Sequence, residues 1–150
     1  MNKKILALCI GLTGFLTLHS QVQNPIKWVS AYKSTSATEG EITVSATIEK
    51  GWHTYSQQPN EAVPLPTLFS YKESKHYQLV GKTEENNAHE EFDAALGQKL
   101  IVFTDKAEFK QKVKLTAKTP QTIFFKIEYI SCDNKMCMPP TTIDLSVKTQ

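Results

Sequence analysis

The sequence contains no arginine: all 17 of its Lys+Arg residues are lysine. Lysine lacks the planar fork that reads phosphates and guanine edges, so a nucleic-acid partner is not expected. Also missing are Gly-x-Ser-x-Gly, His-Glu-x-x-His and a glycine-rich phosphate loop, which leaves hydrolysis and phosphate chemistry without their usual residues. Glycine (6) and proline (7) stay at ordinary usage and 21% of residues are charged, which excludes both a collagen-like repeat and a self-repelling disordered chain. No internal repeat or low-complexity tract is visible, and beyond the N-terminus there is no apolar run of about 18 residues. What remains is 150 residues, 40% hydrophobic, enough for one globular domain and not for two.

The N-terminus specifies a compartment. Met1-Asn2-Lys3-Lys4 is a short basic start, Ile5 to Leu18 is apolar, and Ser20-Gln21 offers a small-residue cleavage point. Together they read as a secretory signal peptide over residues 1–20, with a mature domain over 21–150. Cys9 lies inside the apolar run behind Leu8, where a lipid-anchoring signal would want a small residue, so it is expected to leave with the signal. Loss of Lys3 and Lys4 brings the 17 basic residues to parity with the 15 Asp+Glu. The mature product is expected to be soluble, in an oxidising space outside the cytoplasm where Cys132 and Cys137 could form a disulfide.

From residue 26 onward the dominant period is two, the repeat of one strand face. Ile42, Val44, Ala46 and Ile48 alternate with polar neighbours, as do Phe109, Val113 and Leu115, and Ile143, Leu145 and Val147. Further strands are expected over 27–33, 52–57, 67–72, 77–81, 100–104 and 122–131, and Glu84 to Leu96 reads as a long polar connection. About eight strands without alternating helices predict an all-β, immunoglobulin-like β-sandwich. Trp28 and Trp52 are assigned to its core.

The segment Ser131-Cys132-Asp133-Asn134-Lys135-Met136-Cys137-Met138-Pro139-Pro140 carries the chemistry. A strand runs into it and another leaves it, so the two thiols are expected to flank a hairpin tip turned by Asp133 and Asn134. Cross-strand neighbours lie close enough for a disulfide. By the chain-entropy argument a loop this short constrains the unfolded chain by only about 2.2 kcal/mol, against about 4.7 for a 100-residue loop. Pro139 and Pro140 cannot donate ladder hydrogen bonds, which keeps the loop edge open. Two readings stand at this point: a working redox couple, or a structural bond stiffening a hairpin in a non-catalytic secreted binding module. Four residues between cysteines is unusual for zinc, with only His53, His76 and His89 to supplement them, so no metal and no other cofactor is expected.

Three elements occur in order: Gly51-Trp52-His53-Thr54-Tyr55-Ser56, His89-Glu90-Glu91-Phe92, and Glu128-Tyr129 ahead of Cys132-x4-Cys137-Met138-Pro139-Pro140. In this the chain resembles the N-terminal periplasmic domain of the thiol:disulfide interchange protein DsbD, over about residues 26–148. The resemblance implies a periplasmic, monomeric sandwich that relays electrons from a membrane-embedded donor to thioredoxin-like or disulfide-isomerase proteins. It implies that Cys137 forms the mixed disulfide with partners and Cys132 resolves it. Glu90, Glu91 and Phe92 would form a cap loop whose Phe92 covers the sulfurs, and His53 and Tyr55 would lie beside them. Lys135 in the loop would favour a thiolate at Cys137, whereas Asp133 would oppose one at Cys132. Two features depart from the family pattern: four residues rather than five separate the cysteines, and the chain stops at Gln150, so the membrane donor is expected to be separately encoded.

Overall fold

Alternation of apolar and polar side chains buries one face of each strand, and the chain answers with sheets stacked on those faces. The computed structural model describes residues 24–116 and 119–149; the expected signal peptide and Cys9 lie outside them. The strands are β1 (Ile26–Ser34), β2 (Glu39–Ile48), β3 (His53–Tyr55), β4 (Leu68–Tyr71), β5 (Tyr77–Asn86), β6 (His89–Asp93), β7 (Gln98–Thr104), β8 (Lys106–Leu115), β9 (Thr122–Tyr129), β10 (Ser131–Cys132) and β11 (Thr141–Lys148). Among the described residues every regular element is a strand. The fold is an all-β, immunoglobulin-like sandwich.

One sheet has the order β1-β2-β8-β5 and faces a second, β11-β9-β4. Ile42, Val44, Ala46 and Ile48 from β2 and Ala107, Phe109, Val113 and Leu115 from β8 meet Ile123, Phe125, Ile127 and Tyr129 from β9 in a single buried cluster. Aromatic rings bind the layers: Phe109 lies 4.9 Å from Phe69 and 5.1 Å from Phe103 between centroids, and Trp28 lies 5.2 Å from Tyr129. Trp28 and Trp52 are half-buried against this cluster, the side of the fold to which the sequence assigns them.

A third sheet, β10-β3-β7-β6, carries the cysteine segment. It hangs from the core sheet through Asp105, the single residue between β7 and β8, which takes φ 59°. Aspartate tolerates this left-handed conformation better than most residues. Strand alternation in β7 sends Phe103 to the main core while Leu100 and Val102, on the other face, feed a second, smaller apolar cluster with Tyr55, Ile130 and Cys132.

Two expectations are corrected. Glu84 to Leu96 is not a connection: Glu84 to Asn86 finish β5, and His89–Asp93 is the edge strand β6. The period-two signal fails there because β5 shifts register between Val80 and Glu84, with Gly81 at φ 73°, and because four of the five β6 residues are exposed. The strand expected over 122–131 is two: β9 ends at Tyr129, and β10 leaves it to join β3 in the other sheet.

Candidate redox site

The cysteines sit on a tight hairpin at the edge of the third sheet. β10 pairs antiparallel with β3, setting Cys132 opposite His53 and Ser131 opposite Thr54. The chain then turns, and Cys137 forms an antiparallel bridge back to Cys132. Asp133 makes the turn, as its residue type predicts: its Oδ1 accepts the amides of Lys135 and Met136, both at 2.8 Å, and its own amide donates to the Met136 carbonyl at 2.9 Å. Those amides, first Lys135 and then Met136, hold the Asp133 carboxyl below its ordinary range. The Met138 amide closes the neck on the Ser131 carbonyl at 2.8 Å. Beyond it Pro139 and Pro140 interrupt pairing until β11 rejoins β9 at Thr141.

The two sulfurs form a disulfide, Cys132–Cys137, with an S–S distance of 2.04 Å. Their environments differ: Cys132 is 0% exposed, whereas Cys137 is only partly buried. The apolar side chains packed on the Cys132 cluster come from two places. Ala62, Val63 and Leu65 belong to the proline-punctuated strap 57–66 between β3 and β4, and Leu96 belongs to the β6–β7 turn. The strap is fastened at both ends. Glu85 accepts from the Ser56 hydroxyl at 2.5 Å and the Gln57 amide at 2.8 Å, while the Thr67 hydroxyl donates to the Tyr55 carbonyl at 2.6 Å.

Behind Cys132 lies a buried polar group of three side chains. The Tyr55 hydroxyl is 3.3 Å from Cys132 Sγ and donates to Asp93 Oδ2 at 2.5 Å. His53 Nε2 is 3.1 Å from the same carboxylate oxygen and 3.4 Å from the Tyr55 hydroxyl. Asp93 Oδ1 accepts the amides of Ala95 at 2.9 Å and Leu96 at 3.0 Å. Burial alone would raise the Asp93 carboxyl, but the hydrogen bonds from Tyr55, Leu96 and His53 outweigh it and hold it below its usual value. Burial, reinforced by Asp93, pushes the Tyr55 hydroxyl far up, so it keeps its proton.

The structure thus brings together Cys132, Cys137, His53 and Tyr55 and adds Asp93, the last residue of β6, which no motif in the sequence singled out. Its residue type before Ala-Ala-Leu-Gly, a turn it caps through Oδ1, was the available signal. Phe92 and Glu90 are not brought to the sulfurs by β6. Strand alternation sets them on the opposite face from Asp93, with Phe92 59% exposed and Glu90 paired to Lys99 at 2.8 Å. Glu91, on the Asp93 face, pairs with His89 at 3.1 Å at the exposed edge.

Solved structures with this fold include the N-terminal periplasmic domain of ScsB from Proteus mirabilis, with TM-score 0.56, 18% identity, 81% of this chain covered and 44% of that one. The reduced N-terminal domain of DsbD from Neisseria meningitidis gives TM-score 0.53 and 13% identity, over 81% of this chain and 85% of that one. The complex of the DsbD and PilB N-terminal domains from Neisseria meningitidis gives 0.51 and 12%, over 79% and 80%. The chain therefore spans less than half the length of the ScsB domain chain it matches. No curated protein sequence matches it. The family model described as thiol:disulfide interchange protein DsbD, N-terminal, matches residues 23–149, and with that match over nearly the whole chain the protein belongs to the family of DsbD N-terminal domains.

Proposed function

We propose that this thiol–disulfide exchange domain works in the periplasm, relaying reducing equivalents from a separately encoded membrane donor to thioredoxin-like or disulfide-isomerase proteins. The observation that carries the reading is the asymmetry of the bond: Cys132 is sealed and Cys137 is partly open at the neck of an exposed hairpin. Exchange needs a thiolate in line with a sulfur–sulfur bond, so the open Cys137 is the atom that meets the partner. In the reducing direction the Cys137 thiolate attacks one sulfur of a partner disulfide, that bond breaks, and a mixed disulfide forms. Cys132 then attacks Cys137. The bond to the partner breaks, the partner leaves as a dithiol carrying two electrons, and Cys132–Cys137 closes again. The reverse sequence against a donor dithiol reduces the domain for the next round.

The Tyr55 hydroxyl is within reach of Cys132 Sγ and would support that sulfur, when it carries charge, by turning its hydrogen from Asp93. Exclusion of stray thiols from Cys132 falls to the strap residues Ala62, Val63 and Leu65 rather than to Phe92. A protein partner docked on this fold, as in the Neisseria DsbD–PilB complex, supports a protein substrate.

Equilibration with a redox buffer, read by the mass of alkylated cysteines, tests the reading. The bond is expected to open in the folded protein at potentials above the roughly −300 mV of structural disulfides. Cys132→Ala is expected to trap a covalent partner complex through Cys137, and Cys137→Ala is not. A bond that stays closed in excess dithiol would leave a staple in a binding module, and trapping by both variants or by neither would remove the assigned roles.

A further inference from the structure

When Cys137 is attacked, Cys132 leaves as a thiolate in a position with no exposure, where an unneutralised charge is costly. The Tyr55 hydroxyl stands 3.3 Å from that sulfur, but its one hydrogen is committed to Asp93 Oδ2 at 2.5 Å. For Tyr55 to give this hydrogen to sulfur, another proton must reach the phenol oxygen, so that the restored hydroxyl can again donate to Asp93. His53 Nε2 is in reach of both, at 3.1 Å from Oδ2 and 3.4 Å from the hydroxyl. Asp93 itself is a poor proton store, because two backbone amides fill its other oxygen and its carboxyl is held in the charged form.

Resting on the exchange reading above, we infer that His53 is the proton reservoir of the couple, acting on Cys132 through Tyr55. As the disulfide opens, the Tyr55 proton passes to the Cys132 thiolate and the imidazolium proton of His53 passes to the Tyr55 oxygen. The products are a Cys132 thiol, an intact Tyr55 hydroxyl and a neutral imidazole. Closing reverses each transfer: Cys132 loses its proton to Tyr55, Tyr55 returns one to His53, and the electron pair of the thiolate forms the new bond. No oxidant or reductant beyond the exchanging partner is involved. His53 touches no reacting sulfur and is therefore a positioning residue whose charge state sets the rate at which Cys132 can leave.

The titratable and charged groups around His53 come from four elements. Asp93 faces it from β6, and the field of His53 is felt at Asp133 in the hairpin loop, where the Lys135 and Met136 amides and then Lys135 itself act more strongly. On its own strand it faces Tyr55, on β10 it faces Cys132, and on β7 its register partner is the uncharged Thr104, beyond which lies His89, 3.4 Å from the Thr104 hydroxyl.

The test is the rate at which glutathione opens the disulfide in the folded chain, between about pH 5 and 8.5, divided at each pH by the thiolate fraction of glutathione. In the wild type this corrected rate constant is expected to fall with rising pH across this window, by on the order of a hundredfold, the low end of what positioned proton transfer contributes. His53→Gln is expected to give a flat profile at the high-pH value of the wild type, with its thermal unfolding transition retained. A flat wild-type profile overturns the inference, even if His53→Gln does not fold, and so does a slope that survives in His53→Gln. A disulfide that glutathione cannot open at any pH would instead sink the exchange reading itself, so the two failures are distinguishable.

Discussion

At the scale of single residues, Asp93 holds the site together. Its carboxylate gathers four donors, the amides of Ala95 and Leu96, the Tyr55 hydroxyl and His53, in a place where its side chain has no exposure. Asp93→Ala leaves those donors without an acceptor and is expected to cost about 3 kcal/mol, measured as a shift of the urea midpoint. The pH dependence follows from the direction of its shift. Because the folded carboxyl titrates below the unfolded one, its stabilisation is fully present above the unfolded value, about pH 3.9, and is lost as pH falls through the lower folded value. Wild-type stability should therefore drop steeply below about pH 4, and Asp93→Asn should flatten that limb. Little of this was legible in the sequence. His53 and Tyr55 stood out in Trp-His-x-Tyr, but Asp93 lies 40 and 38 residues from them, and no local pattern reports a hydrogen bond across that distance.

At the scale of elements, the site depends on what covers it. The strap 57–66 packs Ala62, Val63 and Leu65 on the cluster that contains Cys132, while β6 turns Phe92 outward. Leu65→Ala is expected to raise the rate at which reduced Cys132 reacts with iodoacetamide several-fold, and Phe92→Ala to leave it unchanged. Mass analysis of the alkylated peptides separates the two cysteines, and the opposite pattern would return the cover to the segment around Phe92. The strands that the sequence disclosed, β2, β8 and β11, are those with one face on the core and the other toward solvent, which writes the period of two directly into the residues. The edge strand β6 and the end of β5 were illegible, because neither buries a regular face. The hairpin itself was read correctly as a turn joining two paired strands, β9 and β11. Its docking on β3 was not, since the partner lies in another sheet, about eighty residues earlier in the chain.

At the scale of the whole molecule, one aromatic hub joins the three sheets. Phe109 on β8 touches Phe103 from the site-bearing sheet, Phe69 from the opposing layer and Trp28 from β1. Phe109→Ala is expected to remove about 3–5 kcal/mol of global stability, seen as a lowered melting temperature in both the oxidised and the reduced protein. This arrangement leaves the hairpin moored on two sides, by β10 to the third sheet and by Pro139-Pro140 to β11 in the core layer. The backbone bonds at its neck, from Met138 to Ser131 and from Asp133 to Met136, do not involve the sulfurs and are expected to hold the neck when the disulfide opens. On the proposed reading, Cys132 then confronts a partner-bound Cys137 at an effective molarity far above that of any dissolved thiol. The mixed adduct would consequently be short-lived, and the pace of turnover would be governed by how often partners collide with the domain rather than by how long they stay attached.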